Sequence, residues 1–133
     1  MPELPEVETT KTSLLPLLDQ KVLNVEVRQA SLRWPIPENL HKLTGQKLLQ
    51  LTRRSKYILA QFEQDSMLWH LGMSGSFRLC DAHEDLRKHD HLIIQFEDMQ
   101  LRYHDPRRFG CILLLNESSL FFFKQKTAYE LSW

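Results

Sequence analysis

Only two of the 133 residues are cysteine and four are glycine, and no apolar run approaches the roughly 18 residues that a membrane-spanning helix needs. Cys80 and Cys111 lie far apart and belong to no C-x-x-C pair, which excludes a disulfide framework and a zinc ribbon and leaves the metal expectation at none. A leader is not in evidence either: the first 20 residues carry three glutamates where a basic start and an apolar stretch would stand. The expectation is a cytosolic chain, processed only by loss of its first methionine, with no membrane association. Net charge is also missing, since seventeen basic residues cancel seventeen acidic ones, and the excess of positive charge common in nucleic-acid-binding proteins is absent.

What is present is the composition of an ordinary globular protein, 42% apolar and 26% charged, in a length that supports one core. In PEVETTKTSLLPLL, Val7, Leu14 and Leu18 recur on a helical period. Pro5 suits a first helical turn, Glu6 and Glu8 suit the helix dipole, and Pro16 ends or kinks the helix. VLNVEVRQ then alternates as a half-buried strand does, and PENLHKL reads as a short helix or turn before Gly45. KLLQLTR, KYILAQFE, SMLWHL, HLIIQFE, LRYH and CILLL are strand-like, and residues 79 to 91 lose their period and become charged, as a surface loop does. One amino-terminal helix followed by seven or eight short strands with hairpin spacing predicts an α+β domain, a helix on an eight-stranded antiparallel β-sandwich or flattened barrel.

That domain spans residues 1–115. Residues 116–133 stand apart: three consecutive phenylalanines before a polar, lysine-rich stretch follow neither a helical nor a two-residue period. This atypical tail reads as non-native sequence, the translation of adaptor joined to a fragmentary gene, and carries no functional expectation.

Several residues could carry chemistry. Removal of Met1 leaves Pro2 as a terminal secondary amine, and an α-amino group with a pKa of about 7.7–8.0 is partly neutral and nucleophilic near pH 7. Attack by such an amine on a sugar anomeric carbon gives an iminium that is cationic without a proton, an electron sink for elimination. Glu3 and Glu6 stand beside it as proton donors or acceptors, although an M-P-E start is also simply a good helix opening. In HLGMSGSFRL, Gly72 and Gly75 let the backbone turn sharply around Met73, either as a wedge for a base stack or as a core methionine beside a bulge. DPRRFG joins a turn-forming Asp-Pro to Arg107, Arg108 and Phe109. These are forked donors for phosphates or base edges with a stacking plate, or else an ordinary basic turn.

Two basic clusters, Arg53 with Arg54 and Lys56, and Arg102 with Arg107 and Arg108, are local patches or solvated faces. His89 and His91 share a strand face but lack further ligands at recognisable spacing, so a solvent-facing or phosphate-contacting pair is expected rather than a metal site. Both cysteines are expected to pack in the core.

Taken in order, PELPEVET, RRSKYIL at 53–59, HLGMSGS at 70–76, KHDH at 88–91 and LRYHDPRRFG at 101–110 closely resemble the bacterial formamidopyrimidine-DNA glycosylase family, from Met1 to about Leu115. The resemblance implies a monomeric, bifunctional enzyme of the bacterial cytosol. Such an enzyme removes oxidised purines such as 8-oxoguanine and formamidopyrimidines from double-stranded DNA, then cuts the strand at the abasic site as a β,δ-lyase. It implies Pro2 as Schiff-base nucleophile, Glu3 as its acid-base partner, Glu6 as a second active-site glutamate and Lys56 as a phosphate contact that assists elimination. Met73, Arg107 and Phe109 would fill the hole left by the everted nucleotide, and His89 and Arg108 would hold the DNA backbone.

The related endonuclease VIII-like glycosylases, which favour oxidised pyrimidines, are a less similar alternative, and a non-catalytic DNA-binding fragment is another. The family's helix-two-turn-helix and its zinc finger on four cysteines have no counterpart in these residues, so no cofactor is expected in this chain.

Overall fold

The computed structural model describes residues 4–29, 31–32, 35–72 and 75–125. Pro2, Glu3 and Met73 lie outside the described residues. The first element, α1 (Leu4–Ser13), has Pro5 in its opening turn, where a missing N–H costs nothing, and buries Val7 completely. It stops short of Pro16, which instead sits in a 3-10 turn, Leu15–Leu17, that delivers Leu14 and Leu17 to the core.

Eight strands follow: β1 (Val22–Val27), β2 (Leu48–Arg54), β3 (Tyr57–Phe62), β4 (Ser66–His70), β5 (Ser76–Cys80), β6 (Asp90–Phe96), β7 (Gln100–His104) and β8 (Cys111–Leu115). They form two four-stranded sheets in the orders β1-β6-β7-β5 and β2-β3-β4-β8, and every pairing between them is antiparallel. PENLHKL becomes a 3-10 turn over Leu40–Leu43. The predicted α+β sandwich with its amino-terminal helix is therefore what forms, and no helix among the described residues is long and apolar enough to cross a membrane.

Alternation along the strands decides what lies between the sheets. Ile58 and Ala60 of β3, Met67 and Trp69 of β4, and Leu92, Ile94 and Phe96 of β6 turn inward and join Val7, Leu14 and Leu17 in one cluster. Each of the larger of these side chains, fully buried, stabilises the fold by about 1.5–3 kcal/mol. The helix α1 closes one side of this core, lying against β2 and β3 of one sheet and β5 of the other.

The loop 81–89 between β5 and β6 is exposed, as expected, but anchored. Arg102 of β7 is buried beneath it and donates to the carbonyls of Asp81, Glu84 and Asp85 at 3.4, 2.9 and 3.1 Å. This corrects the basic patch read from the sequence: Arg102 is a structural cation, and Arg107 and Arg108 remain on the surface without it.

The tail is the second correction. Residues Glu117–Gln125 form a helix, α2, where no regular period was expected. Asn116 caps it, its side-chain oxygen accepting from the Ser119 N–H at 2.9 Å. Leu120 and Phe123, three residues apart, share the face that packs on Tyr57, Leu59 and Leu68, the outward side chains of the second sheet. The phenylalanine run obscured this pattern because Phe121 and Phe122 point to solvent, 61% and 66% exposed. Phe123→Ala should therefore destabilise the protein by about 3 kcal/mol in urea unfolding. Phe121→Ala and Phe122→Ala should each change it by less than about 0.5 kcal/mol, and equal effects at all three positions would contradict this packing.

Candidate nucleic-acid interface

Two connections cross from one sheet to the other at the same corner of the sandwich. The β4–β5 connection (71–75) leaves the second sheet at His70 and enters the first at Ser76, whereas the β7–β8 connection (105–110) leaves the first at His104 and returns at Cys111. Because His70 pairs with Cys111 and Ser76 with His104, the two connections run side by side. HLGMSGS and DPRRFG, separate in sequence, thus become neighbours.

Their backbones touch. A Cβ on Gly72, which has φ +66°, would come within 2.8 Å of the Phe109 carbonyl carbon and oxygen, so no larger residue fits without displacing backbone. On the other loop the Asp105 carboxylate, fully buried, accepts from the N–H groups of Arg108 at 3.0 Å and Gly110 at 2.8 Å, and from the Tyr103 hydroxyl at 2.6 Å. These bonds pin the base of the loop, and Arg107, Arg108 and Phe109 stand exposed at its tip, with Arg108 at φ +57°. Among the predicted site residues these three are brought together beside the loop whose sequence carries Met73.

Next to the tip lies a groove of about 350 Å³ lined by Arg28, Lys88, His89, Asp90, Pro106 and Arg108. His89 and Arg108 were singled out by sequence; Arg28 and Lys88 were not. Arg28 follows an ordinary alternating strand and reaches the groove only because β1 pairs with β6, where its guanidinium donates to the carbonyls of Arg87 and Asp90 at 3.2 and 3.1 Å. Lys88 opens the KHDH stretch, in which sequence assigned a role to His89 alone.

The expected His89–His91 pair divides. Both line the groove, but a bulge in β6 between Asp90 and Leu92 accompanies burial of His91, whose Nε2 lies 2.6 Å from the Asp105 carbonyl, while His89 stays half-buried. His89 has a depressed pKa: partial desolvation disfavours its charged form, and Lys88, His104, His91 and Arg108 add repulsion.

The amino-terminal side of the site is tied to the β2–β3 hairpin. Glu8, one turn from the start of α1, accepts from Arg53 Nε at 3.0 Å and pairs with Lys11 at 2.7 Å, while Arg53 also donates to the Ser55 carbonyl at 3.1 Å. Ser55, at φ +55°, and Lys56 form the two-residue hairpin tip, so the tie holds half-buried Lys56 near α1. Exposed Glu6 lies in the first turn of that helix.

Cys80 and Cys111 are buried in different sheets, and no group of three or more metal-binding side chains occurs among the described residues.

Asp90 fixes the groove floor. Its buried carboxylate takes a two-pronged bond from Arg78 at 2.7 and 2.6 Å, the Arg87 N–H at 2.8 Å and His104 Nδ1 at 3.1 Å. Burial alone would raise its pKa, but Arg78 and the Arg87 amide outweigh burial and hold the carboxyl well below its ordinary 3.8. The unfolded chain then binds the proton more readily than the folded one, so the stabilisation is complete above about pH 4 and is lost as pH falls below it. Asp90→Asn should cost about 3 kcal/mol at pH 7 by leaving Arg78 unpaired. In acid titrations of urea stability the wild type should converge on this variant, and a constant gap down to pH 2 would refute the assignment.

Comparison with known proteins agrees with this architecture. The profile of the formamidopyrimidine-DNA glycosylase N-terminal domain matches residues 1–112. The formamidopyrimidine-DNA glycosylase of Acinetobacter baumannii (strain SDF) is 81% identical over 116 residues, covering 87% of this chain and 42% of the relative. That of Methylococcus capsulatus is 52% identical, covering 85% and 43%. Among solved structures, Lactococcus lactis Fpg in complex with DNA containing FAPY-dG superimposes with a TM-score of 0.82 at 34% identity, covering 92% of this chain and 48% of that one. The same protein with abasic-site DNA gives 0.83, also at 34% identity. The chain spans less than half the length of each of these relatives, and within that span it belongs to the formamidopyrimidine-DNA glycosylase family.

Proposed function

We infer that this chain is the catalytic amino-terminal part of a base-excision repair enzyme that removes oxidised purines from duplex DNA and cleaves the strand at the resulting abasic site. The observation that carries this reading is the exposed Arg107-Arg108-Phe109 tip, pinned at its base by buried Asp105 and set beside a groove with Arg28, Lys88 and His89. Chemistry on a base inside a duplex requires its eversion, which costs a few kcal/mol and leaves a void. An aromatic plate beside two guanidinium groups on a pinned loop can fill that void, and the groove can take the adjoining phosphates. Phosphate there would also offset the repulsion that adds to burial in depressing the His89 pKa. The similar Lactococcus lactis protein is held on DNA with FAPY-dG or an abasic site, which favours the same ligands here.

The chemistry then follows from a terminal secondary amine. Pro2 attacks C1′ of the damaged nucleotide, the glycosidic bond breaks, and the base leaves with the bonding pair and takes up a proton. Opening of the sugar ring protonates O4′ and leaves an iminium on C1′. Loss of a C2′ proton expels the 3′ phosphate, and a second elimination expels the 5′ phosphate. Glu3 is the proton donor and acceptor at the sugar, Glu6 the second carboxylate, and Lys56 the cation at the phosphate being expelled. Met73 shares the void with Arg107 and Phe109, while His89 and Arg108 hold the backbone. On the same reading the protein works as a monomer in the bacterial cytosol.

Borohydride trapping tests the nucleophile. The untagged chain with Met1 removed should form a covalent adduct with duplexes bearing 8-oxoguanine or an abasic site, and Pro2→Gly should abolish it. An adduct with the abasic site alone would confine the activity to the lyase step, and none with either would overturn the catalytic reading. Groove contacts are tested by salt dependence: Arg108→Ala and Lys88→Ala should each flatten the slope of log Kd against log salt by about 0.9 per phosphate lost, whatever the sequence. An unchanged slope would remove that residue from the phosphate-binding set.

A further inference from the structure

Tyr103 is buried and none of the roles above uses it, yet its hydroxyl sits where the two corner loops meet. A Cβ on Gly110 would lie 1.8 Å from that oxygen, and one on Gly75 would lie 2.7 Å from it. The hydroxyl therefore fills the space that both glycines leave open, one on each loop. It donates to Asp105 Oδ2 at 2.6 Å, the same oxygen that accepts the Gly110 N–H at 2.8 Å. Its ring packs on Phe77 at 4.9 Å between centroids, and Phe77 stacks on Trp69 at 4.3 Å, a column that runs from β7 through β5 to β4 and so spans both sheets. Burial, and then the Asp105 carboxylate, raise the Tyr103 pKa above its ordinary 10.0, so the hydroxyl remains a donor throughout the neutral range.

We propose that Tyr103 and Asp105 are positioning residues that clasp the β4–β5 and β7–β8 connections into one rigid wedge, setting the height at which the Arg107–Phe109 tip enters the base stack. Neither residue reaches DNA, being 1% and 0% exposed. Their contribution is preorganisation: a tip already ordered loses less conformational entropy on insertion, so more of the interaction is available to offset unstacking. The proposal rests on the function inferred above, and it adds residues that act through the wedge rather than on the substrate.

Tyr103→Phe keeps the ring and the column and removes only the hydroxyl. In the free protein, amide exchange of Arg108 and Gly110 should quicken about tenfold, in line with loss of one hydrogen bond to a carboxylate. Asp105→Asn, of the same shape, should quicken the same two amides. Borohydride trapping by Tyr103→Phe should slow about tenfold on a duplex with an abasic site, and remain at the wild-type rate on the same oligonucleotide as a single strand, which has no stack to open. Wild-type exchange at both amides, or equal slowing on duplex and single strand, would overturn the proposal, the second result meaning general destabilisation. If the wild-type chain trapped neither substrate, the catalytic reading would fall, while exchange in the free protein would still decide whether the clasp exists.

Discussion

A carboxylate with no exposure to water is the constraint on which the corner of this sandwich depends. Burying an ionised Asp105 would cost several kcal/mol if its oxygens went unpaired, and three donors from within the neighbouring eight residues prevent that. Two of the donors are backbone amides of the loop itself, so satisfying the charge and shaping the loop are the same event. With the Arg108 and Gly110 amides turned inward, the side chains of Arg107, Arg108 and Phe109 are left outside. Substituting a neutral residue at position 105 would remove the reason for the loop to close, even where it preserved the volume.

The topology makes that local event consequential. If β4 and β5 belonged to one sheet, the glycine-rich connection between them would be an ordinary hairpin tip, remote from DPRRFG. Instead both connections switch sheets at one corner, and the lack of Cβ atoms at Gly72, Gly75 and Gly110 lets them approach within backbone contact. Three of the four glycines of the whole chain are thus concentrated where two loops must meet. Across the sandwich opening, α1 is fastened to the β2–β3 hairpin by Glu8 and Arg53, a half-buried, solvent-screened pair of modest energy whose value is orientation: it fixes the helix that follows Pro2 relative to Lys56.

Much of this was readable in the linear sequence, and the parts that were not have physical reasons. Short apolar runs located the strands, but in β3 both faces are covered, Ile58 and Ala60 by the main core and Tyr57 and Leu59 by α2, so alternation alone did not say which face was which. Proline placement located the end of α1. The tail misled because three adjacent phenylalanines hide which of them faces the sheet, and only Asn116, a helix cap read as tail, would have revealed α2. Asp105 was visible as a turn former but not as a buried anion, since a carboxylate's burial depends on donors that only the folded loop supplies. Arg28 left no local trace at all: its role comes from pairing with a strand more than sixty positions away, and strand pairing is not a local property.

The neutral net charge is resolved in the same way, by asking where each cation is spent. Arg53 is held by Glu8, Arg78 by Asp90, and Arg102 by three backbone carbonyls and the Gln100 side chain. These arginines stabilise the fold and contribute little field outside it. Lys88, Arg107 and Arg108, by contrast, form no ion pair among the described residues, and all three stand exposed at the groove or at the tip beside it. Burial is the first cause of the depressed pKa of His89, and Lys88 and Arg108 add their repulsion to it. A sum over the sequence averages structural and unpaired cations together and returns zero, whereas a polyanion meets only the unpaired ones, within a Debye length of about 10 Å. A surface built this way can attract a phosphate backbone at one corner while the molecule as a whole carries no charge.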